Sequence, residues 1–257
     1  MLFRSDWDRF FAGTLAFGHV GEFFNWRFGR ISSLMVRSYY MLAALQKRYA
    51  ANAVETIRYA EAEGRLLTTS AALATGAYRR SQIHLRYDNG LDVWVNGHTE
   101  DAWQTPYATL CPNGYYARMP NESLIVSSTS RDGRRIDIVH APAYDFLDAR
   151  GSWTETEHLA ADGQLVLLRR DDGTRELIPF ASTRFAVKTT HLPPRVDALD
   201  ADRAPIAAAP CELRNGWLHV EPVPKAVSYL LPKNGSGTAR HRNPTPSSPA
   251  PRIPREA

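Results

Sequence analysis

The chain has 257 residues, 44% hydrophobic and 23% charged, the composition of a folded globular protein. Its formal charge of +4 sits at the ends: residues 1–50 carry seven basic and three acidic side chains, residues 233–257 five and one, and the stretch between them 19 and 23. That balance speaks against a nucleic-acid-binding body, which needs lysines and arginines clustered on one face. Two cysteines, Cys111 and Cys211, exclude a disulfide scaffold or a cysteine-rich zinc fold, and free buried thiols are the expectation.

The first 53 residues read as a helical segment. Ser5-Asp6-Trp7-Asp8 has the spacing of a capping box ahead of the apolar run from Phe10 to Phe24, which Gly13, Gly18 and Gly21 weaken. A second helix follows a cap at Ser32 or Ser33. Its apolar stripe is Met35, Tyr39, Leu42, Leu45 and Tyr49, with Arg37, Gln46, Lys47 and Arg48 off the stripe. His19 and Glu22 interrupt the apolar run, so no membrane span is predicted. Asp6 and Asp8 stand where a signal peptide would be basic, so the sequence as given predicts a cytoplasmic chain, or an exported one if the true start lies upstream.

Residues 54–190 predict an antiparallel β-sandwich, making the fold class mainly β. Ile83, Leu85 and Tyr87 alternate with His84 and Arg86, Asn89-Gly90 supplies a hairpin turn, and Leu91, Val93 and Val95 alternate beyond it. Further turns are predicted at Asn96-Gly97, Asn113-Gly114, Asp132-Gly133, Asp162-Gly163 and Asp172-Gly173, with strands over 124–127, 135–139, 164–168 and 176–178. Residues 191–232 read as a proline- and alanine-rich linker followed by a terminal hairpin around Asn215-Gly216. Residues 233–257, basic and proline-rich with no apolar pattern, read as a disordered tail.

The sequence lacks G-x-S-x-G, H-E-x-x-H, C-x-x-C and P-loop motifs, and no histidines pair at metal-ligand spacing. No metal and no cofactor are therefore expected. Two sets of residues remain as candidates. If Met1-Leu2-Phe3 ends a strand and Arg4–Asp8 is a loop, then Asp6, Asp8 and Glu22 are candidate catalytic carboxylates of a sugar site, where two acids divide acid and base roles. The alternative is helix capping for the two aspartates and a solvated loop for Glu22. Trp94, Trp103, Tyr107, Tyr115 and Tyr116 crowd into 23 residues and are candidate carbohydrate-binding aromatics, since flat rings stack on sugar faces. Trp94 points away from Val93 and Val95; it either faces out or is covered by the helical segment.

The order of these parts resembles the C-terminal region of large bacterial glycoside-hydrolase-like proteins. The likeness rests on Asp6-Trp7-Asp8-Arg9-Phe10-Phe11, Leu15-Ala16-Phe17-Gly18-His19, the helix from Tyr39 to Tyr49, Tyr87-Asp88-Asn89-Gly90-Leu91-Asp92-Val93-Trp94-Val95-Asn96, and Leu110-Cys111-Pro112-Asn113-Gly114-Tyr115. It covers roughly residues 5 to 190, and Cys111 departs from the apolar or small residue usual before that proline. The resemblance implies the last β/α unit of a TIM-type barrel running into a β-sandwich, with most catalytic acids upstream of Met1. The chain would then be a truncated, non-catalytic carbohydrate-associated region, or else a subunit completing a glycosidase site. A third alternative is a β-sandwich interaction module without sugar affinity. Phe10, Phe11, Leu15, Phe17, Val20, Phe23 and Phe24 need a cover in any of these readings, from the sandwich or from a partner chain.

Overall fold

A computed structural model describes residues 4–21 and 32–233. Helix α1 spans Arg4–Phe17, so Arg4–Asp8 is the first turn of a helix rather than the expected loop. Helix α2 spans Ser33–Tyr49; Ser32 caps it in extended backbone, its hydroxyl accepting the Met35 N–H at 3.4 Å. The buried face of α2 is rotated from the predicted stripe. It consists of Arg37, Ser38, Met41, Leu42, Ala44, Leu45 and Tyr49, while Tyr39 is exposed. The displacement follows from Arg37, which is drawn fully inward by carboxylates far away in sequence.

The strands are β1 (Val54–Ala60), β2 (Leu66–Thr68), β3 (Gln82–Tyr87), β4 (Asp92–Asn96), β5 (Trp103–Gln104), β6 (Thr109–Leu110) and β7 (Tyr115–Met119). They continue with β8 (Leu124–Arg131), β9 (Arg134–His140), β10 (Tyr144–Asp148), β11 (Thr154–Glu155), β12 (Leu159–Ala161), β13 (Gln164–Arg169) and β14 (Arg175–Phe180). The last are β15 (Phe185–Lys188), β16 (Asp197–Leu199), β17 (Pro205–Ala208), β18 (Cys211–Arg214), β19 (Trp217–Val220) and β20 (Ser228–Leu231). Between β2 and β3 a short helix, α3 (Thr69–Thr75), interrupts the region read as wholly β. Thr68 caps its start, and Gly76, in the left-handed region at φ 79°, ends it.

Thirteen strands form one antiparallel sheet in the order β17-β16-β20-β14-β13-β10-β9-β8-β7-β4-β3-β1-β2, and five form a second, β11-β12-β15-β19-β18. The chain is mainly β, with sandwich-like antiparallel sheets, as the alternation and the Gly turns predicted. The Asn89-Gly90 hairpin closes with Tyr87 N–H donating to the Leu91 carbonyl at 2.9 Å. The stretch read as a linker instead contains β16 and β17, and β20 pairs with β14 in the large sheet while β18 and β19 join the small one. Residues 191–232 are thus woven into both sheets. The expected tail lies outside the described residues, apart from Lys233.

Register explains the layering. One row of cross-strand partners runs Leu85, Val93, Ala117, Val126, Val139, Phe146 and Val166 across seven strands. This face packs beneath α1 and α2, against Phe11, Leu15, Met41, Leu42 and Leu45. The adjacent row runs His84, Trp94, Tyr116, Ser127, Ile138, Leu147 and Leu165 on the opposite face. Its β10–β13 end packs against the five-stranded sheet through Leu147, Leu165, Leu177, Phe185, Val187 and Leu218. Its β3–β4 end packs beneath the short β5–β6 ribbon through Trp94, Trp103 and Leu110. Phe10, Phe17 and Val20 of the N-terminal segment are exposed, whereas Phe11 and Leu15 are core.

Candidate functional site

The two covers on this face leave a gap over Tyr116 and Ser127, and the gap is a trough of about 640 Å³. Tyr107, from the β5–β6 ribbon, forms one wall with Tyr116; the rings are stacked with centroids 5.4 Å apart and planes inclined by 13°. The Arg118 guanidinium lies 4.3 Å from the Tyr107 centroid, a cation–π contact. Ile125, Ser127 and Thr129 line the floor, and His140, Asp145, His158, Lys188 and Trp217 the far wall. Lys188 Nζ sits 4.5 Å from the centre of the Trp217 ring.

Of the five aromatic candidates the structure brings only Tyr107 and Tyr116 to this trough. Tyr107 is 42% exposed. Trp94 and Trp103 are buried at 7% and 5% exposure, their rings 5.4 Å apart, and His84 stacks on Trp94 at 4.1 Å. The cover over Trp94 is therefore the β5–β6 ribbon, since the helices lie on the other face. Tyr115 is wholly buried on the helix side, where burial, only partly countered by Arg37, raises its hydroxyl pKa. His84 Nε2 lies 2.5 Å from Asp92 Oδ1. Burial alone would raise the Asp92 carboxyl, but hydrogen bonding and charge from His84, with Trp94 and Arg118, hold it below the usual range.

The carboxylate candidates do not converge. Asp6 is exposed in the first turn of α1, Asp8 is buried, and Glu22 lies outside the described residues. Asp8 contacts Arg37 at 2.7 Å, Arg135 at 2.6 Å and Arg150 at 2.9 Å. Arg37 and Arg150 also hold Asp137, at 2.8 Å each. Burial would raise the Asp137 carboxyl, yet the Arg37 and Arg150 charges and the hydrogen bonds from Arg37 bring it well below the carboxylate range. Arg150 reaches both acids from a left-handed backbone at φ 54°. This knot of three arginines and two aspartates ties α1 and α2 to β9, and it suits Asp8 as a structural counter-ion rather than an open acid or base. Arg135 also donates to Cys111 Sγ at 3.0 Å. Burial nonetheless pushes the Cys111 thiol up, and both cysteines are free and only partly buried.

The expectation of no metal-ligand grouping did not anticipate His140, Asp145 and His158, whose donor atoms all lie within 4.8 Å of one another. Local spacing rules do not detect them because a hairpin and a second sheet assemble them. The turn pairing His140 with Asp145 was the one available sequence signal, and it carries no Gly or Asn. Among the described residues, no helix is long and apolar enough to cross a membrane. Compared with protein-family models, curated proteins and solved structures, the chain matches none.

Proposed function

We propose that the chain is a non-catalytic carbohydrate-binding β-sandwich, of the accessory kind associated with glycoside hydrolases, and that the trough is its binding surface. The observation that carries this reading is the pairing of an accessible Tyr107–Tyr116 stack with a floor and far wall of hydroxyl, imidazole, carboxylate and ammonium groups. A sugar presents apolar C–H faces and a rim of hydroxyls, so one aromatic wall and one polar wall match its two kinds of surface. Asp8, held by three arginines, supports a non-catalytic rather than a hydrolytic role.

A glycan array probed with the full chain, followed by calorimetric titration of the best oligosaccharide, tests the reading. Tyr107→Ala is expected to weaken binding at least about tenfold, a loss of about 1.4 kcal/mol, with the circular dichroism spectrum unchanged. Absence of any retained glycan, or equal affinity of Tyr107→Ala and Tyr116→Ala with the parent, overturns it.

A further inference from the structure

We propose that His140, Asp145 and His158 form a binding site for one divalent transition-metal ion in the wall of the trough. His140 ends β9 and Asp145 lies directly opposite it on β10, across a turn closed by Ala141 and Tyr144 through backbone hydrogen bonds of 3.0 and 3.2 Å. His158 comes from the loop before β12 in the other sheet, and its carbonyl accepts the Lys188 N–H at 2.8 Å. Both sheets therefore contribute, and each ligand has an anchored backbone.

The distances fit metal coordination. His158 Nδ1 is 3.4 Å from Asp145 Oδ2. Ligands about 2.0–2.2 Å from a tetrahedral zinc stand about 3.4 Å apart, so this pair is already placed. His140 Nδ1 is 2.6 Å from Asp145 Oδ1, a hydrogen bond that coordination would replace with a movement of under about 1 Å. The rings of the two histidines lie 4.7 Å apart, close enough to converge on one ion.

The surroundings orient the ligands as outer groups do in metal centres. Arg169 donates to Asp145 Oδ2 and, at 2.8 Å, to the Ala141 carbonyl, fixing the carboxylate relative to the turn. Glu157 lies 3.7 Å from His158 Nε2, opposite the nitrogen that faces Asp145. Two imidazoles and one carboxylate are a donor set for zinc, cobalt, nickel or copper rather than calcium or magnesium. Asp145 is buried while both histidines remain partly exposed to the trough, so a fourth position opens toward water or a ligand hydroxyl. The inference does not require the saccharide reading.

Calorimetric titration of zinc into the full chain, stripped with a chelator and free of saccharide, tests it, with cobalt substitution reporting the ligand field. One equivalent should bind, giving the intense visible absorption of tetrahedral cobalt. His158→Ala should weaken zinc at least about tenfold, and the His140→Ala/His158→Ala pair about 100-fold or more. Tyr107→Ala, which removes the aromatic wall, should leave zinc affinity unchanged, separating this test from that of sugar binding. No saturable binding, or equal affinity in the double variant with its fold retained, overturns the proposal.

Discussion

The two faces of the large sheet are fastened by different physics. At the β10–β13–β14 end, the five-stranded sheet sits on an apolar interior of Leu147, Leu165, Leu177, Phe185 and Leu218. On the other face, α1 and α2 rest on an apolar ladder but are also pinned by Asp8, Arg37, Asp137 and Arg150, buried charges that bridge up to 142 positions of sequence. Apolar burial is non-directional and indifferent to pH. A buried ion-pair knot demands geometry and is costly to leave half-made. The helical layer should therefore be the pH-sensitive and more precisely oriented attachment.

Asp137→Ala should break that attachment most severely. The knot carries three positive and two negative groups, so removing Asp137 leaves the buried Arg37 and the partly buried Arg135 and Arg150 facing Asp8 alone, and the expected loss is about 3–5 kcal/mol in denaturant unfolding. Arg37→Met leaves two arginines against two aspartates and should cost less; a larger loss than Asp137→Ala would refute the charge account. The pH dependence has a definite sign. Asp137 is depressed in the folded chain, so its contribution is fully present above an unfolded value near 3.9 and is lost as pH falls through its lower folded value. Acid titration of stability should show a shallower decline in Asp137→Ala than in the parent.

How much of this was legible follows from how far apart the partners lie. Asn89-Gly90 and Asp132-Gly133 mark their hairpins because Gly90, Asp132 and Gly133 take the positive φ that their residue types tolerate, a property each carries by itself. The phase of α2 was partly legible: Leu42, Leu45 and Tyr49 of the expected stripe are buried, but Arg37 turns inward for Asp8 and for Asp137, the latter 100 positions later. The trough was half-legible. The aromatic cluster pointed to the correct strands, but which rings stay accessible depends on the β5–β6 ribbon folding back over Trp94. The strands at Asp197–Leu199 and Pro205–Ala208 were missed because they are short proline- and alanine-rich stretches that pair with each other and join the sheet only where Asp197–Leu199 meets β20.

Leu177→Ala probes the opposite face. Leu177 is fully buried on β14, opposite Leu167 and Tyr229, and truncation should cost about 3 kcal/mol from lost transfer energy and the cavity left behind. The informative part is its pH response. The loss should be the same at about pH 2, where the Asp137 contribution is waning, as at about pH 7, because no charge in the apolar interior changes. A loss that grows in acid would show that the two attachments are coupled through the sheet, and would end the contrast drawn between them.

Gly90→Ala is the smallest and most local change. Gly90 sits at φ 85°, where an L side chain is strained, but a Cβ there would meet nothing nearer than Asn121 Nδ2 at 3.9 Å. The cost is therefore conformational, about 1 kcal/mol. The turn also touches the helical layer, since Asn89 Nδ2 donates to the Arg48 carbonyl at 2.8 Å near the end of α2. If the buried ion pairs and the apolar ladder suffice to seat the helices, Gly90→Ala lowers the unfolding free energy by that backbone strain and no more. A loss above about 2 kcal/mol would mean that the hairpin turn is a further fastening of the helical layer, one that depends on backbone shape rather than charge.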